Sequence, residues 1–180
     1  MMSSNAFKQF LFYSIVGIFS LPVIAQDNPK LSDPEIASVA VVANQIDIDY
    51  ATIAKKKSTN ADVLKFAGTM ARDHQSVIDQ AVALVTKLGV TPKDNAVSKS
   101  LQSGAVKTKK MLNSKSGEVF NKAYIDNEVA YHKSVIAAVE TVLIPNAVNK
   151  ELKDLLLGVM PLLKAHLEHA EMVQKMFSKK

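Results

Sequence analysis

Between residues 36 and 57, Ile36, Ala40, Ala43, Asp47, Tyr50, Ala54 and Lys57 fall at alternating steps of four and three. That is the period of a helix packed along one face, and Asp47 is the one acid in its middle. The next stretch repeats the pattern without a slip through Leu64, Ala67, Ala71, His74, Ile78, Ala81, Val85 and Leu88. A third seam follows Phe120 and Tyr124 as Ile125, Val129, His132, Ile136, Val139 and Leu143. A fourth runs through Leu152, Leu156, Val159, Leu163, His166, Ala170, Val173 and Phe177. No useful strand-like alternation interrupts them, so the predicted class is all-α.

Local chemistry sets the ends. Ser32-Asp33-Pro34-Glu35 has the serine, early proline and glutamate of a capped helix start. Ser58-Thr59-Asn60 breaks the first helix and supplies a cap for the second, and Gly89 suits its C-terminal cap. Ile144-Pro145-Asn146 closes the third helix, since proline cannot continue the hydrogen-bond ladder. Pro161 inside the fourth predicts a kink, although the apolar pattern runs through it. The helices are expected at about 33–57, 60–88, 117–143 and 148–177.

Residues 91–116 differ. They carry Lys93, Lys99, Lys107, Lys109, Lys110 and Lys115 with a thin apolar line of Val97, Leu101 and Met111. Thr91-Pro92-Lys93-Asp94 reads as a helix start, and the segment as a basic, partly helical, weakly packed connection. A link this long can run the length of a bundle, as the crossover of ferritin-like folds does. The expectation is a ferritin-like four-helix bundle with that crossover between the second and third helices.

The N-terminus changes the compartment. Lys8 precedes a nearly unbroken apolar run over residues 10–24, which ends in Val23-Ile24-Ala25 and then polar residues. The run falls short of the ~20 residues that span a bilayer. It therefore reads as a secretory signal peptide over 1–25, cut near Ala25, with one mature domain over 26–180 and no transmembrane anchor in it. The location expected is periplasmic or otherwise exported. The sequence has no cysteine, which excludes disulfides, thiolate metal sites and cysteine nucleophiles. The formal charge is +5 and the lysines are not interleaved with aromatics, which argues against a nucleic-acid partner. Weak contact with anionic envelope surfaces is consistent with the charge; no protein partner is legible.

Three of the four histidines, His74, His132 and His166, occupy seam positions, which make up only about two in seven of a heptad. With Asp47 they give one polar residue per helix near mid-helix, converging on one point. Buried imidazoles and carboxylates need partners, and three arrangements supply them. The first is one divalent transition metal (Zn, Fe, Cu or Ni) held by Asp47, His74, His132 and His166. The second is mutual hydrogen bonding as internal polar packing, and the third a polar cavity for water or a ligand. Glu128, one turn before His132, and His169, three residues after His166, are secondary candidates. Asp73 points about 100° away from His74, which predicts a cap or surface role. Glu140 reads as a helix-surface acid, and the methionines as gap-fillers.

Further segments carry a resemblance. They are Asp47-x-x-Tyr50-Ala51-x-x-Ala54, then Phe66-Ala67-x-x-Met70-x-x-Asp73-His74, then Ser116-Gly117-x-x-Phe120-x-x-Ala123-Tyr124, and Pro161 followed by His166-Leu167-x-x-Ala170. Over about residues 32–177 the chain resembles the exported bacterial family catalogued as domain of unknown function forty-one forty-two. The resemblance implies a ferritin-like fold and an envelope location, and no settled activity. Asp47 stands where members more often show glutamate, which shortens that carboxylate's reach.

No Glu-x-x-His occurs, so iron storage and di-iron oxidation of the ferritin-like kind are disfavoured. There is no Gly-x-Ser-x-Gly elbow and no phosphate-binding glycine loop. The leading expectation is a metal-binding helical bundle with no catalytic residue assigned. The alternative is a structural or interaction module of the envelope, and a metal-dependent oxidoreductase ranks behind both.

Overall fold

In the computed structural model, residues 29–178 are described; the signal-peptide reading falls outside them. The chain there is all-α: α1 is Asp33–Lys57, α2 Ala61–Lys87, α3 Ala96–Asn113, α4 Gly117–Ala138 and α5 Lys150–Ser178. Among the described residues no helix is long and apolar enough to cross a membrane.

The ends follow from side-chain chemistry. Glu35 Oε2 accepts from the Ser32 amide at 3.0 Å and from its hydroxyl at 2.7 Å. The Asn60 carboxamide oxygen accepts from the amides of Asp62 and Val63 at 3.0 and 3.1 Å, satisfying donors that the first turn of α2 leaves free. At the other end Gly89 adopts φ +64. Its amide donates to Thr86 O, and that of Val90 to Val85 O, the paired bonds of a Schellman stop.

The connection is partly helical, as expected, with a regular helix of 18 residues. Three local expectations need correction. That helix starts later than Thr91, because the Asn95 side chain, not residues 91–94, accepts from the amides of Val97 and Ser98. Residues 91–94 instead tie down the head of α1: the Lys93 amide donates to Pro34 O, and Ser38 Oγ to Asp94 Oδ1. The third predicted helix does not stop at Leu143. A π-helical turn, Val139–Leu143, and a short α turn, Ile144–Asn146, carry it on, keeping Val139, Leu143 and Ala147 buried at steps of four. At Pro161, α5 is unbroken. Pro161 and Leu157 both face solvent, where the Leu157 carbonyl that has lost its donor can be hydrated.

α1 packs along α2, and α4 along α5; α2 also meets α5, and α1 meets α4. α3 lies against α1 and touches α4 lightly. It runs in the same direction as α1. Asn95 Nδ2 donates to Glu35 O at one end, and Lys57 Nζ to Leu112 O at the other.

The interior divides in two. One apolar cluster gathers Phe66, Met70, Phe120, Tyr124 and Ile125. The other gathers Ile36, Val39, Leu143, Leu152, Leu156 and Leu163. Between them lie Asp47, His74, Glu128, His132 and His166, all buried.

Asn60→Ala should lower the unfolding free energy by about 1 kcal/mol, read as a shifted urea midpoint at unchanged slope. The polar layer, four turns away along α2, should keep its properties in that variant.

Candidate metal centre

Each histidine of the layer is aimed by a hydrogen bond at one ring nitrogen. His74 Nδ1 lies 2.7 Å from Asn44 Oδ1, one turn before Asp47 on α1. His132 Nδ1 lies 3.0 Å from the backbone carbonyl of Glu128, one turn back on α4. His166 Nε2 lies 3.0 Å from Asp73 Oδ2 across the α2–α5 interface. These oxygens accept, so each of these nitrogens donates and the other ring nitrogen is left with its lone pair. That pattern fixes tautomer and orientation in histidines that ligate metals.

The three rings stand 5.1 to 5.6 Å apart, centroid to centroid. Asp47 Oδ2 lies 3.4 Å from His74 Nε2 and 3.6 Å from His132 Nε2. Donor atoms of His74, His132 and His166 lie within 4.8 Å of one another, as do those of Asp47, Glu128 and His132. Two ligands each about 2.0–2.1 Å from a tetrahedral ion are roughly 3.3 Å apart, so the Asp47 contacts have ligand-to-ligand spacing.

Among the described residues nine buried side-chain polar atoms lack a hydrogen-bond partner. Seven of them are both oxygens of Asp47 and of Glu128, Nε2 of His74 and of His132, and Nδ1 of His166. At about 1–3 kcal/mol each, seven such groups would cost on the order of 10 kcal/mol, as much as the whole stability of an ordinary domain. His74, His132 and His166 form one set of candidate ligand atoms and Asp47, Glu128 and His132 another, with His132 common to both, so a cation would take up lone pairs that otherwise go unanswered.

Protonation tells the same story. Burial pushes the His74 imidazole down to about 3, assisted by His132 and His166. It pushes His132 down to about 4. His166 is lowered by burial as well, with Asp73 pulling the other way. The imidazoles are therefore neutral, as ligation requires. Burial raises the Asp47 carboxyl to about 8. Glu128 is raised well above the usual carboxylate range, first by burial and then by the Asp47 charge beside it. Among the described residues no cationic side chain compensates this pair; a divalent ion would.

The four leading sequence candidates, Asp47, His74, His132 and His166, lie together, and Glu128 joins them. His169 stands apart, its ring edge-on to Phe66 at 5.1 Å. Asp73 was misjudged as a cap or surface acid: it does point away from His74, and the edge of His166 comes to meet it there. Burial alone would push its pKa up, but bonds from His166 and Arg72 outweigh that and hold the carboxyl below its usual range. Asn44 was missed, although a polar residue three positions before a seam carboxylate is a usable signal. Glu140 is a surface acid, 3.0 Å from Lys164.

A cavity of about 460 Å³ adjoins the layer. Its polar lining is concentrated at one end, in Asn44, His74, Thr108, Asn127, Tyr131 and His132. Its other end is apolar, walled by Ala81, Val85, Leu143, Leu152 and Leu156 among others. Four lining residues are solvent-exposed, Ser100 and Gly104 on α3 and Ala130 and Ser134 on α4, so the mouth lies where these two helices touch least.

The sequence pattern defining the family described as Domain of unknown function (DUF4142) matches residues 20–173. The chain belongs to this family. No curated protein and no solved structure matches it. The DUF4142 match spans every residue of the layer, along with Asn44 and Asp73.

The shifts fix a pH dependence for protein stripped by chelator. The depressed histidines lose stability for the fold as pH falls below about 6.5, where they protonate only in the unfolded chain. The raised carboxylates act oppositely: the folded state holds their protons, and this stabilisation is lost as pH rises towards about 8. From about pH 7.5 to 8 the histidines are largely neutral in both states and the acids dominate, so the melting temperature of metal-free protein should fall across that interval. Asp47→Asn should flatten that fall, as measured by calorimetry.

Proposed function

We propose that this protein is an exported, ferritin-like four-helix bundle that binds one divalent transition metal in its core. Asp47, His74, His132 and His166 are the ligands, and Glu128 completes the set. The observation that carries this reading is that ligand atoms of His74, His132 and His166, and likewise those of Asp47, Glu128 and His132, lie within 4.8 Å of one another, with each imidazole already oriented through its other nitrogen. Three nitrogens with one or two carboxylate oxygens suit Zn²⁺, Fe²⁺, Cu²⁺ or Ni²⁺. The signal-like residues 1–25 and the family resemblance support a periplasmic or otherwise exported location for this reading. No catalytic residue is assigned.

Plasma mass spectrometry on the purified mature chain should find close to one ion per chain, and His74→Ala/His166→Ala should hold none. Both samples empty after incubation with each metal, with the double variant melting lower, would make the layer internal polar packing and overturn the reading. Asp73→Ala leaves all the ligands in place but frees the His166 ring. It should weaken metal binding by about 10–100-fold, measured by competition with a chromogenic chelator.

A further inference from the structure

The cavity beside the layer is amphipathic along its length. Along α2 it extends from His74 to Val85, eleven residues or about 16 Å at the helical rise. Its polar lining lies at the His74 end and its aliphatic lining at the Val85 end. The mouth opens at the polar end. α3 starts beside Glu35 and ends beside Lys57, so Gly104, near its middle, lies at about the level of Asp47. Across the slot, Ala130 and Ser134 flank His132 on α4. A molecule entering between α3 and α4 meets the layer first, and only a tail can run on into the blind, apolar half.

The volume is in the range of ligand pockets. Its aliphatic end offers no side-chain hydrogen bonds to a flat polar ligand such as a nucleotide. Lys107 is exposed on α3, three residues past Gly104. An ion in the layer would offer a positive centre to an oxygen head group.

We propose that this cavity seats a linear aliphatic carboxylate, its head at the histidine layer and its tail among Ala81, Val85, Leu143, Leu152 and Leu156. The head-group choice rests on the metal reading; the tail seat rests on the cavity alone. Residues that shape the seat without belonging to the layer are Ala81, buried at the tail end, and Gly104 at the mouth, where an added Cβ meets nothing within 4 Å.

The test is calorimetric titration of the mature, metal-loaded protein with dodecanoate and with butanoate, and metal content measured on the same samples. Dodecanoate should bind about one per chain and butanoate at least about a hundredfold more weakly, because each buried methylene adds to affinity. Ala81→Phe, which fills the tail end, should weaken dodecanoate at least about tenfold while metal content stays the same. If circular dichroism shows that this variant does not fold, Gly104→Trp takes its place and should slow dodecanoate association at least about tenfold by narrowing the mouth. Metal-loaded protein that binds no dodecanoate, or binds butanoate equally well, overturns this proposal and leaves the metal reading standing. So does undiminished binding in a folded Ala81→Phe variant. Protein that takes up no metal overturns the metal reading instead, and dodecanoate bound to it but lost in Ala81→Phe still supports the tail seat.

Discussion

Two carboxyls and three imidazoles share one buried layer, and among the described residues no lysine or arginine reaches in to balance them. Burial answers with the means at its disposal: it holds protons on Asp47 and Glu128 and keeps them off the histidines. The layer is then neutral, but with many lone pairs and few donors. Helices can carry such a layer because their backbone groups bond within each helix, so only side chains have to be satisfied in the interior. A divalent ion would displace carboxyl protons and take up lone pairs in one event. Folding, proton release and metal binding would then be a single linked equilibrium.

The outer bonds that hold the rings differ in kind. His132 is fixed by a peptide carbonyl of its own helix, which no side-chain substitution can remove. His74 depends on the neutral amide of Asn44. His166 depends on a charged carboxylate, itself held by Arg72 Nε at 2.9 Å. A carboxylate partner makes an imidazole more basic than a neutral one does. His166 is accordingly the ring whose electron density is tied to a half-exposed residue, and the most open to adjustment from outside the layer.

Much of this was legible in the chain. Burial along α2 follows the uninterrupted three-four spacing from Ala67 to Val85, and a histidine inside that pattern had to be buried. The start of α3 was harder. Thr91-Pro92 is a good opening for a helix, but Lys93 and Asp94 are committed to bonds with the head of α1, a tertiary fact that passes the cap to Asn95. Asp73 defeated the helical wheel for a related reason. The wheel gives the direction in which a residue leaves its own helix, not which neighbour's ring edge arrives there. His169 shows the converse: three residues from His166 it shares a face, yet α5 turns that part of the face onto Phe66. Spacing within a helix is written in the sequence, whereas contacts between helices depend on packing angles that no single segment encodes.

The two halves of the interior stand in different relations to the polar layer. On one side Phe66, Phe120, Tyr124 and Ile125 are wholly buried, and the Phe120 and Tyr124 rings lie nearly parallel with centroids 6.2 Å apart. Close-packed aromatic cores hold their shape, so this half is a foundation from which Asp47, His74 and Glu128 project at fixed heights. On the other side the walls are aliphatic, and they enclose space. A site pressed between two solid halves would be sealed, and one between two hollow halves would lack the rigidity that holds ligands in position. With one half solid and the other hollow, the layer is held from one direction and approached from the other. α3 is the helix that sets that approach, because its Ser98, Ala105 and Leu112 stripe seats it on α1 while leaving its Ser100 and Gly104 edge only lightly closed against α4.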